Sequence, residues 1–147
     1  MLEISRASIG HLDTLAPLFN AYRIFYGRKT DLNGARAFLE ARLQHKESAI
    51  FLAELDSKPV GFTQLYPLFS SINMSRIWLL NDLYVAESAR HRGVAGALLD
   101  AARQHGEQTG ASDLMLQTGK DNRPAQAFYK RKSWKREDGY YWYALEI

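Results

Sequence analysis

Arg76-Ile77-Trp78-Leu79-Leu80-Asn81-Asp82-Leu83-Tyr84-Val85 and, four residues later, Arg90-His91-Arg92-Gly93-Val94-Ala95-Gly96 form the stretch whose reading decides the fold. The first part is the most strand-like segment of the chain. The second leads into apolar residues Val94, Leu98, Leu99 and Ala102 at helical spacing. A strand therefore feeds a helix through a turn containing Gly93, and Gly110 stops that helix. Gly106 lies inside it at a cost of about 1 kcal/mol against alanine, which weakens the last turn. A helix start carries unpaired N–H groups that bind phosphate oxygens with the helix dipole behind them, and Gly93 and Ala95 let a phosphate come close. A plain tight turn before a helix satisfies the same short pattern. The Gly-x-Gly-x-x-Gly fingerprint and the Gly-x-x-x-x-Gly-Lys-Ser/Thr loop are both absent, so dinucleotide and nucleoside triphosphate readings lose ground.

Working upstream, Leu2, Ile4 and Arg6 alternate as a strand, and Ser8 offers a cap to a helix through Leu12, Leu15, Phe19, Tyr22 and Phe25. A second helical pattern runs through Ala35, Phe38, Leu39 and Leu43. Ala49 to Glu54 and Val60 to Tyr66 read as strands joined by the turn Asp56-Ser57-Lys58-Pro59, and Pro67 to Ser75 reads as a loop. Downstream, Asp113 to Thr118 is a short strand. Asn122 then caps a helix with Pro124 in its first turn, running to Arg131, and Tyr140 to Glu146 is expected to close the fold as a strand. The order predicts an α/β chain whose sheet is mostly antiparallel. Only the two strand-helix-strand crossings can make parallel pairs, which argues against a doubly wound fold.

The chain has 147 residues, 46% hydrophobic and 24% charged, the size and composition of one soluble domain spanning residues 1–147. Cysteine is absent, which excludes a disulfide framework, thiolate zinc sites and a cysteine nucleophile. The amino terminus lacks the pattern of a secretory signal, and no apolar run approaches the roughly 20 residues that cross a bilayer. A soluble, cytoplasmic protein without a membrane partner is expected. The net charge of +3 is local: between Gly119 and Gly139 seven bases oppose three acids. Such a run suits an anionic ligand and equally a solvated helix end. His11, His45, His91 and His105 show no paired ligand spacing, so no metal is expected.

Leu80 to Val85, Arg90-x-x-Gly93-x-Ala95 and Leu98-Leu99 together resemble the acetyl-CoA motif of the GNAT family of N-acetyltransferases. Asn122-x-x-Ala125-x-x-Phe128-Tyr129-x-x-x-Ser133-Trp134 is similar to that family's second signature, with Ser133 where glycine is usual. Gly61 to Tyr66 and Leu80 to Val85 look like the polyamine, diamine and small histone/polyamine branch. The resemblance implies a single-domain α/β fold with a mixed, mostly antiparallel sheet, a splayed central strand and flanking helices. It implies acetyl-CoA as cofactor, an amine acceptor that is a small molecule or a protein, and a homodimer in which Tyr140 to Tyr143 buries against the partner. Leu83, Tyr84 and Val85 would meet the pantetheine, with Leu83 and Val85 pairing by main chain like an added strand. Arg90, His91, Arg92, Gly93, Val94, Ala95 and Gly96 would hold the phosphates, and Asn122, Ala125, Phe128 and Tyr129 would complete the coenzyme site.

An alkylamine with a pKa near 10.4 is almost wholly protonated at pH 7, so acyl transfer needs a base or an exit route for the proton. Polyamine enzymes of this kind often carry a glutamate where this chain has Asn81, and an amide cannot accept that proton. The role is vacant, or Asp82 fills it, or a water chain does; Asp82 alternatively only attracts a cationic acceptor or pairs with a neighbouring Lys or Arg. The resemblance makes Tyr129 the proton donor to the leaving thiolate; an ordinary core aromatic is the alternative. Tyr22 to Arg28, including Tyr26, together with Tyr66, Trp78, Asn81 and Asp82, are the acceptor-site candidates. Two other classes compete: a non-catalytic acyl-CoA-binding or sensing domain, and a basic nucleic-acid binder, for which no base-stacking motif exists, so no nucleic-acid partner is expected.

Overall fold

A computed structural model describes residues 1–147. The chain divides into two compact units, Met1–Leu116 and Gln117–Ile147. In chain order the first unit contains β1 (Leu2–Arg6), α1 (Leu12–Phe25), α2 (Leu32–Gln44), β2 (Ala49–Leu55), β3 (Lys58–Ser70), β4 (Ser75–Val85), α3 (Val94–Gln108) and β5 (Asp113–Leu116). The second unit contains α4 (Arg123–Arg131). The five strands form one sheet in the order β1-β2-β3-β4-β5, antiparallel throughout except for the parallel pair β4–β5.

Strand alternation assigns each face of the sheet its cover. Leu52 and Phe62 point toward α1 and α2, where they join Leu15, Phe19 and Leu39 in one buried cluster. Ala53 points the other way, and Val60, left unpaired by the β-bulge opposite Ala53 and Glu54, turns to the same side; both pack with Val94 and Leu98 of α3. Short local features set the element ends. Asp56 and Ser57 both take positive φ, 51° and 64°, making a two-residue turn that matches strand twist and closes the β2–β3 hairpin. Asp31 caps α2 by accepting from the Gly34 N–H at 2.9 Å, and Asn122 caps α4 through the Ala125 N–H at 3.3 Å. Ser8 takes a different part from the expected one: it precedes a single 3₁₀ turn, Ile9–His11, and α1 begins only at Leu12.

Two other sequence expectations are corrected. The stretch Pro67 to Ser75 is not a loop, because β3 runs to Ser70 and pairs with β4 through Ser70 and Ser75. Proline reads as a strand breaker, yet the β2 ladder reaches only Leu65, so Pro67 sits where one side of β3 has no neighbour to need its N–H. Tyr140 to Glu146 is not a strand. Its sequence is apolar at nearly every position, which defines no inner and outer face, and Tyr140, Tyr141, Tyr143 and Leu145 are each at least 80% exposed. Only the crossing β4–α3–β5 therefore yields a parallel pair.

Gly61 on β3 is tightly enclosed. A Cβ there would lie 2.6 Å from the Tyr84 carbonyl oxygen and 3.4 Å from Val94 Cγ1. The first neighbour is main chain, so the strands must separate to admit a methyl group. Gly61→Ala is expected to lower stability by about 1–3 kcal/mol, as overpacking does. Denaturant unfolding checks this, and a midpoint equal to the parent's would show that the β3–β4 contact yields without cost.

Candidate active site

The site begins with an extra residue. Gln64 pairs with Asp82 and Leu65 with Leu80, so Asn81 has no partner on β3 and forms a β-bulge. Without it Trp78 and Asp82, four residues apart, would share a face. With it Trp78 stays on the α3 side, where its ring lies 4.6 Å from that of His105 and its Nε1–H donates to Thr109 Oγ1 at 2.9 Å. Asp82 turns to the α1 side.

There Asp82 is 4% exposed. Gln64 Nε2 donates to its Oδ2 at 2.7 Å, and Asn81 Nδ2 donates to its Oδ1 at 3.0 Å. The Tyr22 hydroxyl donates to the Asn81 carbonyl oxygen at 3.5 Å and lies close enough to the carboxylate to favour its ionised form. Tyr22 is held by edge-on packing against Phe62 and Tyr84, with ring centroids 5.7 Å and 6.2 Å away. Burial lifts Asp82 above the ordinary carboxylate range despite the hydrogen bonds from Gln64, Tyr22 and Asn81, each of which favours the ionised form. Tyr22 is itself raised, by burial first and then by the charge of Asp82. Tyr66 is pushed up to about 12 by burial, with Asp82 adding to the effect and Arg42 of α2 opposing it. A carboxylate with this environment is a proton acceptor closer to neutral pH than an exposed one.

The main chain of the same strand supplies the second feature. β5 pairs with β4 only from Ile77 to Leu80, whereas β3 accompanies β4 to Val85. The carbonyl of Asp82 accepts from Thr63 Oγ1 at 2.8 Å, and the N–H of Ala86 donates to the Val60 carbonyl at 2.7 Å, so both face β3. By alternation Leu83 and Val85 direct their N–H and C=O groups to the side that β5 has left. Arg90 Nε donates to the Val85 carbonyl at 3.1 Å while its guanidinium covers the Phe25 ring at 5.4 Å, so this arginine braces the end of β4 against α1.

Beyond Arg90 the chain enters α3 through His91 at φ 61° and Gly93 at φ 81°, both left-handed. Gly93 is the N-cap and contributes no side chain, so the first-turn N–H groups of α3 have no side-chain cap. Arg92 is exposed beside them. A Cβ on Gly93 would meet nothing within 4 Å, leaving this turn open to a large anion. These features fit a coenzyme with a pyrophosphate and an amide-bearing arm.

The structure thus brings Asp82, Asn81, Tyr22, Tyr26 and Tyr66 together on one face, Tyr26 through its ring 5.0 Å from that of Tyr22. Trp78 is not among them, because it lies on the opposite face of the sheet. Asn122, Ala125, Phe128 and Tyr129 lie on α4 and its cap in the second unit, where the Tyr129 ring packs 5.7 Å from Phe128 and 6.2 Å from Trp134. Sequence reasoning missed Gln64 as the direct partner of Asp82. The available signal was a glutamine in the strand Phe62-Thr63-Gln64-Leu65, an amide at a position that alternation sends to the core with Phe62.

The signature of the acetyltransferase (GNAT) family matches residues 15–133. The chain belongs to the GNAT family. An N-acetyltransferase of Bacillus subtilis, YhfO, described as uncharacterized, is 45% identical over 146 residues, which span 99% of this chain and 98% of that protein. A probable acetyltransferase of Haemophilus influenzae is 32% identical over 117 residues, covering 79% of this chain and 80% of its own length. The crystal structure of a probable acetyltransferase matches with a TM-score of 0.94 at 44% identity, over 99% of this chain and 97% of that one. The α/β architecture is therefore the GNAT acetyltransferase fold, and the chain is an N-acetyltransferase, for which family membership implies acetyl-CoA. No helix of this GNAT protein is long and apolar enough to cross a membrane.

The raised pKa of Asp82 has a consequence for stability. The folded chain holds this proton more tightly than the unfolded chain, so the contribution of Asp82 is most favourable below the unfolded carboxylate pKa of about 4 and declines as pH rises through the raised folded value. Asp82→Asn is expected to gain in melting temperature relative to the parent across that rise. A gap between the two proteins that is the same at pH 4 and pH 8 would contradict it.

Proposed function

We propose that this GNAT protein acetylates a primary amine, polyamine-like or amino-acid-like or borne by a protein, and that Asp82 receives the acceptor's proton. The observation that carries the reading is the conjunction on β4 of an open main-chain edge at Leu83 and Val85 with a buried carboxylate one residue before that edge. Leu83 and Val85 bind the pantetheine arm as a neighbouring strand would, and the first turn of α3 from Arg92 to Gly96 holds the phosphates, with Arg90 and His91 flanking it. When bound, acetyl-CoA supplies a thioester carbonyl for attack by the amine. Asp82 draws the ammonium form in by charge and takes up the proton before attack, while Tyr22, Tyr26 and Tyr66 wall the acceptor cleft with ring faces that favour a cation.

The resemblance of Asn122, Ala125, Phe128 and Tyr129 to the family signature supports a coenzyme-binding role for this segment, with the Tyr129 hydroxyl as hydrogen-bond donor to the departing thiolate. The likeness of Gly61 to Tyr66 and Leu80 to Val85 to the polyamine branch favours a small diamine or polyamine as first acceptor to test. Residues 1–147 are read as one N-acetyltransferase domain, in the cytoplasm. The exposed aromatic run Tyr140 to Tyr143 supports a homodimer in which it is buried.

Release of free thiol from acetyl-CoA across a panel of primary amines is the direct test. Acetyl-CoA binding without thiol release on any amine would favour the non-catalytic sensing alternative. Gly93→Asp places a carboxylate at the phosphate turn and is expected to weaken acetyl-CoA binding by calorimetry; unchanged affinity in the folded variant would place the pyrophosphate elsewhere. Tyr129→Phe removes only a hydroxyl, so kcat is expected to fall by about 10²–10⁴-fold with little change in acetyl-CoA KM. A loss under about threefold at parental melting temperature would reduce Tyr129 to a wall of the pocket.

A further inference from the structure

Behind Asp82 lies a second polar layer with almost no access to water. Gln64 is fully buried and Ser48, immediately before β2, is 8% exposed. The Ser48 hydroxyl donates to Gln64 Oε1 at 2.8 Å, and Gln64 Nε2 donates onward to Asp82 Oδ2 at 2.7 Å. Three side chains from three separate segments thus form one directed chain of donors that ends on the carboxylate.

The direction matters because a carboxamide has two faces. With its N–H toward Asp82, Gln64 stabilises the carboxylate; with its oxygen there, it tolerates only the protonated acid. Ser48 biases the choice. Its hydroxyl hydrogen now meets the Gln64 carbonyl; with the amide reversed the hydroxyl could accept the N–H only by turning its hydrogen away from Gln64, and two oxygens would be set against each other at Asp82. Such an arrangement is costly in an interior where unsatisfied polar groups are not rescued by water.

We propose that Ser48 and Gln64 are positioning residues for acetyl transfer: Ser48 fixes the Gln64 carboxamide with its N–H toward Asp82, and the pair thereby keeps that carboxylate available as a proton acceptor. The inference rests on Asp82 being the base, yet the two are separable by experiment. The other groups facing Asp82 are Tyr22 from α1, Tyr66 from β3 and Asn81 on its own strand, with Arg42 of α2 acting on Tyr66. Tyr66 also hydrogen-bonds Gln64, but a phenol hydroxyl both donates and accepts and so suits either face of the carboxamide; Ser48 is the group that donates to the Gln64 oxygen.

The test is the pH titration of the Asp82 side-chain carbon by NMR in the parent, Ser48→Ala, Ser48→Thr and Gln64→Leu, with the pH profile of kcat/KM measured alongside on one amine. A hydrogen bond to a charged group is worth about 1.5–3 kcal/mol, so Gln64→Leu is expected to move the Asp82 titration up by about one to two pH units. Ser48→Ala is expected to move it up by a smaller amount, and Ser48→Thr, which keeps the hydroxyl, to restore it. Because activity requires the ionised form, the acidic limb of kcat/KM moves to higher pH by the same amounts, while kcat/KM well above the limb stays near the parental value. Should Gln64→Leu fail to fold, the Ser48 pair carries the comparison alone. An Asp82 titration that is unmoved in folded Ser48→Ala overturns the positioning role. A titration that moves while the kinetic limb stays fixed upholds the effect on the carboxylate and overturns its use as the base.

Discussion

Strand β4 has a partner on both sides only as far as Leu80, and the rest of the site depends on that limit. A strand that keeps one neighbour and loses the other remains rigid, because its ladder to β3 holds it, yet it offers unpaired main-chain groups along the free side. The opening is sustained by packing. Leu83 and Val85 bury their side chains against the α3 cluster, and Arg90 ties the end of the strand to α1. An extended amide-bearing arm bound there, as proposed, would cost little conformational entropy on the protein's side, since the ladder to β3 already holds the strand extended.

The bulge at Asn81 sets a buried acid beside that edge. One inserted residue reverses the parity of β4, so Leu80 and Trp78 serve the α3 face while Asp82 and Tyr84 serve the α1 face. A regular strand would have sent the carboxylate into the packing around His105. The side chain that emerges is a buried acid whose ionised form is maintained against desolvation by donors alone: Gln64, Asn81 and Tyr22. Such a group detracts from stability near neutral pH, which accords with the proton-accepting role proposed for it.

Most of this architecture was legible before the structure. The spacing of Leu12, Leu15 and Phe19, the turn at Asp56, the cap at Asn122 and the strand-Gly93-helix passage all rest on local physics that acts over a few residues. Asp82 stood out as an acid in an apolar strand. What escaped depends on register. The β3–β4 ladder beyond Pro67 exists because β2 is shorter than β3, which no local pattern announces. Read from sequence, Trp78 belongs with the cleft aromatics Tyr26 and Tyr66; period-two counting would carry it to the face of Asp82, and only the bulge separates them. Ser48 and Gln64 are unremarkable polar residues 16 apart in sequence until the hairpin register brings both to the carboxylate. Tyr140 to Glu146 failed for a related reason: strand propensity without a ladder partner makes no strand.

Amide hydrogen exchange at Leu83 and Val85, with and without acetyl-CoA, tests the central claim that the free edge of β4 receives the donor. The account predicts that both amides exchange more slowly when acetyl-CoA is bound, since Arg90 occupies only the carbonyl of Val85 and leaves its N–H free, together with those of Val94 to Gly96 at the start of α3. Protection confined to the α3 turn, with Leu83 and Val85 exchanging as in the free protein, would contradict it.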